Sequence, residues 1–405
     1  MKNKFRVLVR KFDPFEKIVA KFWDKYQKST GCVLELDLAA LDLPQLHDNI
    51  LFEDFDVAHV NTDWLTQAWE LNCLENLKPY IEQTPPEEYP DGWPDSLLKL
   101  QTFKDGIAGL PFHDGPECLM YRKDLFESEI EKENYYTRFG NELNAPRTWQ
   151  EFFKVAEFFN RPEQGIYGTL FALYPDGHNN IFDFALQVWS RGGVLEDDNG
   201  NIILNAPQTI EAMTFYRSLI NSPVVHPKSR EVESIGACWL FAQGEVAMMV
   251  NWFGFATMCE TVEGTITKGK VDICAVPHSE KCMDPVSLNV YYTWSLSAKS
   301  AYKDIAYDFI RFCVSKENDR ILPLEGGIGC RKSTWFDQEV NKIIPYYSRM
   351  EELHSYANVL PRTPIWNDVS RVIDDLVLEV INTEKPINQI LDEAQKKVCL
   401  INTGA

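Results

Sequence analysis

Aromatic side chains stand beside short carboxylates and amides at the ends of this chain's apolar runs. Residues 241–254, FAQGEVAMMVNWFG, are the clearest case. Gly244 suits the left-handed position that closes a helix. The run VAMMV reads as a strand buried on both faces. Asn251 and Trp252 come directly off its carboxyl end, where open α/β sheets bind ligands. A flat aromatic covers the C–H face of a sugar ring, and carboxylates, amides and arginine forks bond its hydroxyls. Trp252 plugging the core is the alternative for the same residues.

The same chemistry recurs at other strand ends. Asp63 and Trp64 follow DVAHV, although Trp64 also suits the packing start of a helix and Asp63 its N-cap. Asp13 sits at the matching end of the first strand, where capping explains it equally well. His113, Asp114 and Glu117 form a polar cluster, Tyr174, Asp176, His178 and Asn179 another. Asp176-Gly177 reads equally as a turn. Strand alternation puts Tyr292 and Trp294 on one face and Tyr291 on the other. Arg331 follows a Gly-Gly turn, and Arg362 precedes Trp366 at a late helix start.

Elements that could position these residues are legible. Residues 5–9, 33–38 and 56–60 read as strands separated by helices, the pattern of a parallel sheet with helices on its faces. Asp13, Pro14 and Glu16 suit N-cap, N1 and N3 of the first helix. Thr148 and Glu151 form a second capping box, and residues 167–173 (YGTLFAL) read as a strand. Residues 246–250, 271–276 and 290–297 add further strands, and the C-terminal part is mostly helical.

Composition narrows the function classes. The chain has 405 residues, enough for two or three domain-sized units, and 45% are hydrophobic. A formal charge of −20 argues against a nucleic-acid partner, whose phosphates require Lys and Arg. No apolar run reaches the roughly 20 residues of a membrane span. The ten cysteines include no C-x-x-C pair, so no metal site is expected, and they suggest a chain kept reduced. No cofactor motif is present: there is no nucleophile elbow and no P-loop.

Several stretches, in this order, resemble the family 1 extracellular solute-binding proteins, the maltose-binding-protein-like receptors of ABC importers. They are Pro146-Arg147-Thr148-Trp149 with Phe152; Ile166-Tyr167-Gly168; Gly192-Gly193 followed by Asn205-Ala206-Pro207; and Phe241 with Gly244, Val246, Ala247 and Met248. Ser297-Ala298-Lys299-Ser300, Gly327 with Gly329, Arg331 and Lys332, and a final Trp366 helix complete the series. The resemblance implies an α/β, two-lobed periplasmic-binding-protein-like fold of type II with a ligand cleft between the lobes. Mapped here, lobe one is 1–112 plus 278–316 and lobe two is 113–277 plus 317–405. Hinge crossovers fall near 111–117, 275–278 and 314–320.

The resemblance also implies a function. The chain is expected to bind a small polar solute, a sugar or oligosaccharide, as a non-catalytic monomer that closes around its ligand and serves ABC permease subunits. The expected contacts are Asp13, Asp63, Trp64, His113, Asp114, Glu117, Tyr174, His178, Asn251, Trp252, Tyr292, Arg331, Arg362 and Trp366. Family members usually carry a secretion signal, and MKNK runs here straight into a strand, so an extracytoplasmic and a cytoplasmic location both remain open. The rival readings are a glycosidase, which needs two flanking carboxylates, and an intracellular sugar sensor.

Overall fold

The computed structural model describes residues 3–282 and 284–403. Its strands are β1 (Lys4–Arg10), β2 (Glu35–Leu41), β3 (Val57–Asn61), β4 (Leu110–His113), β5 (Glu117–Arg122), β6 (Tyr167–Thr169), β7 (Val246–Trp252), β8 (Val271–Cys274), β9 (Ser287–Leu288), β10 (Tyr292–Leu296) and β11 (Ala357–Asn358). The chain divides into two units. Unit 1 is Met1–Gly115, Val290–Glu351 and Arg362–Pro364, and unit 2 is Pro116–Asn289, Glu352–Pro361 and Ile365–Ala405.

Unit 1 is a five-stranded sheet in the order β2-β1-β3-β10-β4. β1 runs parallel to β2 and β3, while β10 is antiparallel to both β3 and β4. The helix Asp13–Thr30 packs on this sheet because Phe15, Ile18, Val19, Phe22, Trp23 and Tyr26 recur at helical spacing and all are buried. Trp23 stacks on Phe5 of β1 with centroids 4.6 Å apart. The expected N-cap shifts by one residue. Phe12 holds that position and makes no side-chain cap bond, so Asp13 is the first helical residue, exposed beside the positive end of the helix.

Unit 2 carries a four-stranded sheet in the order β6-β7-β5-β8 and a short parallel pair, β9 with β11. β7 is parallel to β6 and antiparallel to β5. The capping box at Thr148 and Glu151 is present. The expected strand 167–173 is regular only over Tyr167–Thr169. Beyond it the backbone still pairs, but with an irregular segment: Leu173 N–H donates to Ser229 O at 2.9 Å and Tyr174 N–H to Val232 O at 3.1 Å. Gly168 is required there, since a Cβ would lie 2.2 Å from Ala156 O.

The unit boundaries differ from the expected lobes in two long stretches, and in the short segments 113–115 and 362–364, which fall in unit 1. Residues 317–351 belong to unit 1. Buried Asp319 accepts from the Cys330 N–H at 2.8 Å, the Arg331 N–H at 3.1 Å and the Thr334 hydroxyl at 2.6 Å. Arg331 in turn binds Val314 O and Glu87 O, which ties the segment to unit 1. Residues 278–289 belong to unit 2, held by His278 N–H to Arg147 O at 2.9 Å and Ser279 N–H to Ser190 O at 2.8 Å. The chain first passes between units at Gly115, whose φ of 138° suits glycine. No helix among the described residues is long and apolar enough to cross a membrane.

Candidate functional site

Sheet topology gathers the expected residues of unit 1 at one edge. β4 and β3 end at this edge while antiparallel β10 begins there, so His113, Tyr292 and Asn61 form one cross-strand row. The ring of Phe15, in the first turn after β1, lies 4.6 Å from His113 and 6.0 Å from Tyr292. That contact brings the helix start carrying Asp13 to the same row. Asp63 follows β3 and is half-buried. Asp114 is 2% exposed, close enough to His113 for its charge to be felt there.

Three expected contacts of unit 1 are engaged by neighbours within the unit. Trp64 is 4% exposed and belongs to the apolar cluster of Leu46, Ile50, Leu65 and Ala68, which is the helix-start alternative for it. Arg331 is fully buried. Its Nε donates to Val314 O at 2.8 Å and its Nη2 to Glu87 O at 2.7 Å, with the guanidinium 4.0 Å from the Trp93 ring centroid. Its Nη1 has no hydrogen-bond partner but is buried 3.5 Å from Glu88, so the guanidinium presents no accessible donor to a solute. Arg362 is exposed, but it lies over Phe103 and donates to the carbonyls of Lys99 and Thr102, both at 3.2 Å.

The histidines of this edge are held neutral. His113 Nδ1 accepts the Ile328 N–H at 3.0 Å, so its remaining proton is on Nε2. Burial lowers His113 to about 4, opposed only by Asp114. His59, in β3, lies among Phe15, Phe112 and Trp294, and neither ring nitrogen has a hydrogen-bond partner. Burial pushes it well below the usual histidine range, and His113 adds to the shift.

Histidines that stay neutral when folded but accept a proton near pH 6.5 when unfolded lower stability as pH falls. The loss begins near the unfolded value and continues down to the folded one. For His113 this amounts to about 3 kcal/mol by pH ~4. Urea midpoints of unit 1 should therefore fall between neutral and mildly acidic pH, and His59→Leu should make that fall shallower. An identical acid response in the variant would contradict the burial argument for His59.

In unit 2, Glu117 at the start of β5 lies opposite Trp252 at the end of β7, and Cys118 lies opposite Asn251. β7 extends through both Asn251 and Trp252, two residues beyond its apolar run. Asn251 is 5% exposed and turns its amide inward, accepting the Trp252 N–H at 2.8 Å and donating to Ser234 O at 3.3 Å. It anchors the strand end. Trp252 is half-buried, its ring edge-on to Phe182 at 5.1 Å. The residue is thus less enclosed than the fully buried tryptophans of the core, such as Trp149 and Trp294.

The loop after β6 leads to the same edge. Tyr174 is 49% exposed. Asp176 accepts from the His178 N–H at 2.9 Å and from Asn179 Nδ2 at 2.8 Å, ordering the start of the helix Asn179–Trp189. Gly177 has φ 78°, so the turn alternative for Asp176-Gly177 holds. The His178 ring lies 5.4 Å from Phe182. Trp366 opens the helix Trp366–Asn382 and is 2% exposed.

Four polar residues of these edges were not among the candidates: Asn61, Asn180, Asp183 and Tyr216. Asn180 and Asp183 lie one turn apart in the largely apolar NNIFDFALQVW, a pattern that could have marked them. The Tyr216 hydroxyl donates to Asp183 Oδ2 at 2.5 Å. Asn61 differs, since nothing in DVAHVN distinguishes it from an ordinary strand-end amide.

Two α/β units, each with polar and aromatic side chains gathered at the strand ends of its sheet, define a binding protein of the two-lobed solute-receptor class. The model of the family "Bacterial extracellular solute-binding protein" matches residues 50–320, and the chain belongs to that family. A "Probable ABC transporter-binding protein" of Deinococcus radiodurans is 22% identical over 377 residues, covering 88% of this chain and 84% of that one. Among solved structures, maltose-bound T. maritima MalE3 superposes with a TM-score of 0.84 at 19% identity, covering 98% and 99% of the two chains. An Agrobacterium radiobacter solute-binding protein in complex with ribitol gives 0.85 at 20% identity, covering 98% of each.

Proposed function

We propose that this protein binds a sugar or polyol without chemically altering it, and delivers it to the membrane subunits of an ABC importer. The observation that carries this reading is the pairing of Trp252 with Glu117. An indole held edge-on by Phe182, with part of its surface accessible, stands across the strand pair from a buried carboxylate. The first suits the apolar face of a sugar ring and the second its hydroxyls. Asp13, Asp63, His113 and Tyr292 supply comparable chemistry from unit 1. The sugar and polyol ligands named for the similar structures support the same solute class. The family description supports an extracytoplasmic location.

The mechanism follows from linkage. A solute that contacts both units favours whichever arrangement lets it touch both, by its differential affinity for the two states. The permease would read that arrangement.

A thermal-shift screen of sugars and polyols tests the reading. Binding to the folded state alone raises stability by RT ln(1 + [L]/Kd), about 2.7 kcal/mol at a hundredfold excess over Kd. At least one member should raise the melting temperature in a concentration-dependent way, with no turnover of an aryl glycoside panel. No shift across the panel would oppose the reading, and glycoside turnover lost in Glu117→Gln would replace it with catalysis.

A further inference from the structure

Unit 2 buries two carboxyl groups near one another, one of them across the strand pair from Trp252, without supplying a cation for either. Glu117 is 5% exposed, and its Oε2 has no hydrogen-bond partner. Asp183 is 9% exposed and near enough to Glu117 for the two to repel. One turn earlier on the same helix, Asn180 donates its amide to Asp374 Oδ1 at 2.7 Å, leaving its own Oδ1 with no donor. So two buried acceptors, Glu117 Oε2 and Asn180 Oδ1, lack donors, and an acid lies near each.

The surroundings do not neutralise the pair. The Tyr216 hydroxyl bonds Asp183 but carries no charge. Arg230 is the cation felt at Tyr216, and its guanidinium is engaged by Asn221 Oδ1 at 2.9 Å, Ile381 O at 3.4 Å and Asn382 Oδ1 at 3.4 Å. Among the described residues no Lys, Arg or His forms an ion pair with Glu117 or Asp183. Burial pushes Asp183 up to about 7, and burial with repulsion from Asp183 raises Glu117 well above the usual carboxylate range. A pair of buried acids without a counter-charge must hold a proton or receive a cation.

Neutral hydroxyls can donate to these oxygens but cannot balance their charge. An ammonium group does both, with three donors on one centre. We infer that the solute is a cationic carbohydrate, an amino sugar or aminated polyol, whose ammonium pairs with Glu117 while its ring lies against Trp252. This rests on the reading of the protein as a sugar or polyol receptor and narrows its solute class. Binding of the ammonium displaces the proton that the pair holds otherwise, so affinity rises with pH for as long as the amine stays charged.

Calorimetric titration of the full chain with matched probes tests the inference: glucosamine, galactosamine and mannosamine, each against its N-acetylated and its hydroxyl counterpart. At least one amine should bind on the order of tenfold to a hundredfold tighter than both counterparts. Titration in buffers of different ionisation enthalpy should show release of about one proton by wild-type protein. Glu117→Gln and Asp183→Asn should each abolish that preference. The proton count in wild type does not depend on either variant folding. Equal or tighter binding of the neutral counterparts overturns the inference and leaves the receptor reading intact. A panel in which neither amines nor neutral sugars bind overturns both.

Discussion

Replacing Arg331 by alanine is expected to destabilise unit 1 by about 3–5 kcal/mol, the cost of breaking a buried charged network from one side. The guanidinium is wholly enclosed, holding Val314 O and Glu87 O and lying 3.5 Å from Glu88. Its removal leaves two carbonyls without donors and opens a void against Trp93. The fit is close: a Cβ on Gly92 would lie 2.8 Å from Arg331 Nη1. Arg331→Lys should recover only part of the loss, because a point charge cannot reproduce the planar fork or the stacking on Trp93. Urea denaturation followed by tryptophan fluorescence measures this. Unchanged stability in Arg331→Ala, accompanied by lost solute binding, would return Arg331 to the ligand.

Trp252→Ala has the opposite signature. Removing an aromatic that covers a bound ring should weaken solute affinity by about 2 kcal/mol or more, on the order of thirtyfold. The stability cost should stay below ~1.5 kcal/mol, since the indole is only half-buried and its main aromatic partner, Phe182, is held by its own helix. Calorimetry and a urea midpoint on the same variant separate the two effects. Severe destabilisation with affinity preserved would mean that the indole is a core plug after all.

The contrast between these two side chains shows what the sequence can and cannot tell. Both follow recognisable structural signals, a Gly-rich turn for Arg331 and a buried strand for Trp252. Local pattern brought each to a plausible site. What the sequence hides in both is long-range: Arg331 meets residues 87–93 and 314, and Trp252 meets Phe182 and lies opposite Glu117 of β5. No periodicity encodes a contact between residues 244 positions apart.

The fold was more legible than the site for the same reason. Helix faces, capping boxes and apolar strands are local, so the α/β class and the capping box at Thr148 could be read directly. Unit membership of residues 317–351 could not, because it is set by Arg331 reaching out of the segment to Val314 O and Glu87 O. Among site residues, Glu117 was legible as a polar residue at a chain crossover. Its buried neighbour Asp183 was visible only as a charge interrupting an apolar helix, and its closeness to Glu117 is a product of the tertiary fold.

Small-angle scattering on the full chain, with and without a saturating solute from the screen, tests the central claim most directly. A receptor whose two units both contact the ligand should show a smaller radius of gyration when bound, by an amount that saturates with the calorimetric binding isotherm. A radius unchanged by a solute that demonstrably binds would contradict closure as the mechanism.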